Sequence, residues 1–252
     1  MAEPHIHIDH EDGIATLRLA RKPANALDIG FLEEIDAALA DLDGNQDWRT
    51  LIVTGTDGVF SAGVDLKKLP ALDDTGQTRI VRALNGLYTR LYGLTRPTVA
   101  AVNGHAIAGG LVLALACDYR VATDQAAKFG LTEVQVGVAF PISALEIARL
   151  ELAPHIQRNF LLFGGLIDPA AALAGGVVDE LAAPADVMTR ARSKARELKA
   201  IPPTGYAAVK AQLREHALTR MRAAVDNDEE PQLVGWVTDE ARAAALKVLA
   251  GG

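Results

Sequence analysis

The stretch Ala106–Cys117, AIAGGLVLALAC, is almost wholly aliphatic and carries no charged side chain, yet it contains the adjacent glycines Gly109 and Gly110. Packing a buried apolar run needs no such glycines. A second glycine turn, GVFSAGVDL over 58–66, follows the apolar run TLIVTG at 50–55, just as NGHAIAGG over 103–110 follows TVAAVN at 98–103. A strand that enters a glycine turn and then a helix leaves backbone N–H groups unpaired at the positive end of the helix dipole. Two such groups aimed at one carbonyl oxygen form an oxyanion hole, and glycine lets the ligand approach closely. The same pattern serves tight strand–helix packing, and the residues alone leave both readings open.

Several common catalytic signatures are absent: no Walker A loop, no G-x-G-x-x-G after the first strand, no H-E-x-x-H and no G-x-S-x-G. Ser61 sits in a turn that a hydrolase could use, but no His/Asp partners are identifiable. His5, His7 and His10 alternate on an N-terminal strand with no further ligands in view, which reads as a solvated face rather than a metal site. His105 reads as lining the turn after its strand. Ser143 and Glu146 have the spacing of a capping box. Glu133, by pattern alone, is a surface or helix-start charge. Cys117, the one cysteine, reads as core packing.

The elements that must position these turns follow from periodicity. PHIHIDH and GIATLRLA alternate as half-buried strands around a turn at 11–13. Residues 28–43 form a helix capped by Asp28, with Phe31, Ile35, Leu39 and Leu42 on one face. Residues 77–94 form another, striped by Ile80, Leu84, Leu87 and Leu91 and ended at Arg96-Pro97. Short apolar strands are expected at 50–55, 98–103, 119–124, in AKF and in VVDEL, with a buried helix over 110–117. A further helix runs from Ser143 to about Leu150, and a short one lies within 168–176. From about 185 the chain is helical, broken at Pro202-Pro203 and near 226–231. This predicts an α/β core over 1–182 and a helical region over 183–252, without a sequence period that would identify a repeat.

With 252 residues, half of them hydrophobic, the chain can build a large core. A net charge of −7 with the two signs interspersed argues against a nucleic-acid footprint. The apolar run 99–117 is interrupted by glycines, Asn103 and His105 and closed by Asp118 and Arg120, so it reads as buried core, not a membrane span. The N-terminus MAEPHIHIDHEDG has neither a signal nor a transit pattern, and with a single cysteine the expected compartment is a reducing cytoplasm.

GVFSAGVDL, AVNGHAIAGG and CDYRVAT together resemble the crotonase (enoyl-CoA hydratase/isomerase) superfamily, in that family's order and separation and over nearly the whole chain from NALD at 25–28. The resemblance implies a spiral of ββα units followed by a helical trimerisation region, and a homotrimer or dimer of trimers. It puts oxyanion donors at the N–H groups of Val64 and Gly109. Ala24, Ala62, Asp65 and Leu66 fall where the family cradles coenzyme A, and Lys210 falls on the helix that approaches the coenzyme phosphates. Coenzyme A arrives as part of the substrate, so no separate cofactor or metal is implied.

Hydratases of this family place two glutamates around the double bond. Counted from Gly109, the first falls on Val112, which is not a carboxylate; the second falls on Glu133 in FGLTEVQVGV. Adding water needs a base for the water and an acid for C2. Moving a double bond from C3–C4 to C2–C3 needs one carboxylate that takes the C2 proton and returns it at C4, while the dienolate rests on the oxyanion hole. Val112 would then be an apolar wall against water. Further likenesses in CDYR, IPPTGYAAVKAQLR and GWVTDEARAAALKVL point to the mitochondrial-type Δ3,Δ2-enoyl-CoA isomerase branch and to fatty-acid β-oxidation. Thr132 stands where that branch has Asn. The resemblance implies an isomerase acting on an acyl-CoA thioester; an enoyl-CoA hydratase (a lyase), another crotonase-fold acyl-CoA enzyme and a non-catalytic acyl-CoA-binding protein are the alternatives. Acyl-chain length would be set by Phe140, Pro141 and the segment 70–90.

Overall fold

The computed structural model describes residues 4–56 and 58–250. The N-terminal stretch read for targeting signals includes residues 1–3, which lie outside the described residues.

Two strands open the chain, β1 (Ile6–Glu11) and β2 (Ile14–Leu19), paired antiparallel. Helix α1 (Ile29–Gly44) follows, then β3 (Thr50–Thr54), β4 (Val59–Ser61) and helix α2 (Asp74–Gly93). Next come β5 (Thr98–Val102), β6 (His105–Ile107) and α3 (Gly109–Leu115), then β7 (Tyr119–Thr123), β8 (Phe129–Gly130) and α4 (Ile142–Glu151). The short helices α5 (Pro154–Gln157) and α6 (Pro169–Ala174) precede β9 (Glu180–Ala182), and helices α7 (Val187–Lys199), α8 (Pro203–Asp226) and α9 (Asp239–Leu249) close the chain.

The strands form two sheets. The larger runs β1-β2-β3-β5-β7-β9, parallel from β2 onward, and the smaller is the parallel trio β4-β6-β8. Each of the pairs β3–β4, β5–β6 and β7–β8 sends its first strand to the large sheet and its second to the small one before a helix follows. That is the ββα spiral of the crotonase fold. The repeat lives in geometry, which is why no sequence period betrays it.

Strand alternation sorts the core into two layers. Leu51, Val53, Ala100 and Val102 face the main core with α1 and α2, whereas Ile52, Val99, Ala101 and Val121 face Val187, Ala191 and Ala195 of α7. Asp28 caps α1 as expected, accepting from the Phe31 N–H at 2.9 Å.

Four expectations are corrected. Strand β1 is not half-buried: five of its six residues are exposed, because it is the sheet edge, while β2 beside it is buried at every position but Arg18. Helix α2 begins at Asp74, capped by Asp73, whose Oδ1 accepts from the Gly76 N–H at 2.8 Å. The Ser143/Glu146 capping box does not form. Pro141 precedes α4, and Ser143 lies inside the helix, its hydroxyl within 2.9 Å of the Thr89 hydroxyl; Glu146 pairs with Arg149 and Arg220. Finally, α5 and the π-turn Arg158–Leu162 that continues it were not foreseen, since Pro154 starts a helix too short to show a stripe.

Candidate active site

The two glycine turns meet face to face. Gly63 has φ +76°, and a Cβ there would lie 2.7 Å from the Ile107 carbonyl oxygen and 2.9 Å from the Gly109 nitrogen. A Cβ on Gly110 would lie 2.3 Å from the Ser61 carbonyl oxygen. Only bare backbone allows this approach. The glycines thus serve the close packing of the two turns.

The neighbouring backbone groups are tied down. Leu27 donates to the Gly63 carbonyl at 2.8 Å and accepts from the Asp65 N–H at 2.9 Å. Ala108, strained at φ 50° and ψ −131°, donates to the Gly130 carbonyl at 2.8 Å. Between these anchors, the N–H groups of Val64 and Gly109 donate to no protein acceptor among the described residues. Both residues line one cavity of about 280 Å³. Asn25 braces the first turn from behind: its Nδ2 donates to the Phe60 carbonyl at 3.0 Å, and its own carbonyl accepts from the Ser61 hydroxyl at 2.8 Å. Ser61 is fully buried in this brace, which gives it a structural role.

Glu133 enters the same cavity from a 3-10 turn, Glu133–Val136, ended by Gly137 in the left-handed region at φ 70°. Its Oε2 is buried and has no hydrogen-bond partner among the described residues. Burial pushes its pKa up to about 8, against a smaller lowering by a backbone N–H. Glu133 is the only carboxylate among the described residues that line the cavity; Thr132, Gln135 and Tyr88 add uncharged polar groups to a wall that is otherwise apolar.

Tyr88 was missed by sequence reasoning. Its hydroxyl donates to the Gly109 carbonyl at 3.0 Å, and a Cβ on Gly109 would come within 2.5 Å of that oxygen. Burial, with the Glu133 charge nearby, raises the phenol well above its ordinary value, so it stays protonated. Tyr88 follows Leu87 on the apolar side of α2, and nothing local in the sequence marks it as a cavity residue. Trp236 and Val248, from the far end of the chain, also line the cavity.

The remaining candidates divide. Ala62 and Leu66 line the cavity, as does Pro141, but Phe140 does not. Within the segment 70–90, Leu84 and Tyr88 reach it. Ala24 accepts from the Ala62 N–H at 3.0 Å, and Asp65 turns back to accept from the Lys67 N–H at 3.1 Å; neither lines the cavity. Two expectations fail. Val112 is fully buried in the core and is not part of the cavity wall, so it cannot be the barrier to water; Leu84, Val138, Ala144 and Trp236 supply apolar surface there. Lys210 is 8% exposed and committed to an internal ion cluster, donating to Asp118 at 2.8 Å and to the Arg96 carbonyl at 3.1 Å. Arg214 shares Asp118 at 2.9 Å. Burial outweighs the Asp118 charge and lowers the Lys210 pKa. It fastens α8 to the residues flanking β5 and β7, away from the cavity that holds Glu133.

A carbonyl oxygen placed between two unpaired N–H groups, with one poorly solvated carboxylate nearby, is an arrangement for stabilising an enolate. The family described as enoyl-CoA hydratase/isomerase matches residues 9–241. Human mitochondrial enoyl-CoA delta isomerase 1 is 29% identical over 238 residues, 94% of this chain and 78% of that protein. The probable enoyl-CoA hydratase EchA17 of Mycobacterium tuberculosis is 36% identical over 201 residues, 79% of this chain and 76% of that protein. The crystal structure of human mitochondrial delta3-delta2-enoyl-CoA isomerase superposes with a TM-score of 0.92 at 28% identity, covering 98% of both chains. Matched along nearly its whole length in sequence and in fold, the chain belongs to the enoyl-CoA hydratase/isomerase family.

Proposed function

We propose that this protein is a Δ3,Δ2-enoyl-CoA isomerase. The observation that carries the reading is the single carboxylate, Glu133, in a cavity whose other polar groups are uncharged and whose backbone offers two free N–H groups. The thioester oxygen accepts from Val64 and Gly109. Glu133 takes a proton from C2, the C3–C4 double bond shifts as the dienolate forms, and the same carboxyl returns the proton at C4. Atoms balance without water. Ala62 and Leu66, on the cavity wall, and Ala24 and Asp65, on the adjoining backbone, are the proposed coenzyme A contacts; Lys210 is not among them.

Hydration is the second reading, supported by the hydratase name of the M. tuberculosis relative. It asks for a second acid that the described cavity residues do not supply as a carboxylate. Purified protein given 3-enoyl-CoA and 2-enoyl-CoA separately distinguishes them. The isomerase conjugates the first and leaves the second unhydrated; formation of 3-hydroxyacyl-CoA from the second would favour hydration. Glu133→Gln is expected to abolish conjugation while CoA-ester affinity persists, and turnover retained in that variant would remove Glu133 from its role.

We further propose a homotrimer or dimer of trimers, assembled through the helices after β9, and a cytoplasmic setting, which suits a buried free Cys117.

A further inference from the structure

One part of the cavity wall, Trp236, comes from a segment that the reaction does not use. Residues 230–238 cross from the end of α8 over α2 and over the loop that carries Glu133, and they are clasped at every few residues. Glu230, 5% exposed, accepts from Asn85 Nδ2 at 2.8 Å and from the Ile142 N–H at 2.7 Å. Thr78 donates to the Leu233 carbonyl at 2.8 Å, and Gln77 accepts from the Val237 N–H at 2.8 Å. The Trp236 indole N–H donates to the Ala139 carbonyl at 2.8 Å, and the ring, 3% exposed, faces the cavity.

Helix α2 serves as a ruler along this cavity. Tyr88 touches Gly109 at the reacting end, and Leu84, one turn back, lines the wall. Gln77, which holds Val237 beside Trp236, lies about 16 Å from Tyr88 at 1.5 Å per residue. The backbone beside Trp236 is thus anchored on α2 about three turns from the residue that touches Gly109. We infer that the strap 230–238 is the floor of the acyl pocket and that Trp236 is the residue that sets the longest acyl chain the site accepts. This inference rests on the acyl-CoA reading above. An apolar cavity of about 150 Å³ holds a benzene ring. On that scale the 280 Å³ here holds roughly eleven carbon-sized groups, the thioester included, so the substrate class is a medium-chain enoyl-CoA.

The test uses the affinity of saturated acyl-CoAs of 4 to 16 carbons, measured by calorimetric titration, so that it does not depend on turnover. Affinity in the wild type is expected to rise about fourfold per methylene up to roughly ten carbons and then stay level. Trp236→Ala moves that plateau to longer chains. Should that variant fail to fold, Trp236→Leu keeps an apolar anchor while shortening the side chain and is expected to shift the plateau in the same direction. Ala144→Leu, on the same wall, moves the plateau to shorter chains. An unchanged plateau in the Trp236 variants, or no plateau in the wild type, overturns the inference. If the wild type binds none of the series, the acyl-CoA reading itself falls.

Discussion

At the residue scale, the proposed chemistry rests on Glu133 and Tyr88. A carboxyl held near pKa 8 is largely protonated at neutral pH, and only its ionised form can take a proton. The rate of the unliganded enzyme with scarce substrate, kcat/KM, is therefore expected to climb as pH rises through about 8 and to level above it. A profile already flat from pH 6 to 9 would mean that the buried carboxyl is not the base. The same shift has a stability sign. Its folded pKa lies above the unfolded value, so the protonated form is favoured on folding; that contribution is whole below about pH 4.5 and is lost as pH rises through 8. Tyr88→Phe removes the hydroxyl that holds the Gly109 carbonyl, one peptide on from the proposed donor N–H. It is expected to lower kcat by about tenfold with little change in KM, since only transition-state alignment suffers; an equal loss in KM would assign Tyr88 to binding instead. Of this pair the sequence displays one member. Glu133 is legible through its motif, whereas Tyr88 comes to Gly109 only through tertiary packing.

At the scale of elements, the glycine turns are the device. Gly63→Ala forces a Cβ into the Ile107 carbonyl at a φ that side chains resist, and it must push the two turns apart. Misplacing one oxyanion donor typically costs ~10²–10³ in rate, and this variant is expected to lose that much kcat/KM while still binding acyl-CoA; near-normal kinetics would separate the turns from the chemistry. Val112→Glu is expected to lower the melting temperature and to confer no hydratase activity, because a carboxylate there meets apolar core. Appearance of 3-hydroxyacyl-CoA would show that this position does reach the reacting carbons. These strands and turns were readable because continuous apolar runs broken by glycine leave a local trace. The capping box failed for a physical reason: Pro141 and the Glu230 carboxylate start α4, and Ser143 falls one residue inside it. Of the small sheet only β8 left a trace, in AKF; β4 and β6 went unread, as three-residue strands carry no period.

For the whole molecule, α7 to α9 are bound to the core through their buried faces, yet α8 leaves Val209 and Leu213 at 64% and 67% exposure. An apolar pair on a helix otherwise anchored by buried ion pairs fits an interface between copies of the chain. Leu213→Glu is expected to reduce the proposed trimer to monomers in sedimentation velocity, with the helical signal kept. A wild type that sediments as a monomer contradicts the trimer. The share of the cavity wall that Trp236 and Val248 supply also belongs to this scale. Those residues lie more than a hundred positions from Glu133, and no local pattern in one sequence announces so distant a contact. Among the described residues, no helix is long and apolar enough to cross a membrane.

The proton's path gives the most direct test. A 3-enoyl-CoA dideuterated at C2, turned over in ordinary water and followed by mass spectrometry, is expected to give conjugated 2-enoyl-CoA carrying deuterium at C4 in part of the turnovers, and Glu133→Gln is expected to give none of that product. Conjugated product with no deuterium at C4 in any turnover, or a product 18 mass units heavier bearing oxygen at C3, would contradict a single carboxyl shuttling one proton between the two carbons.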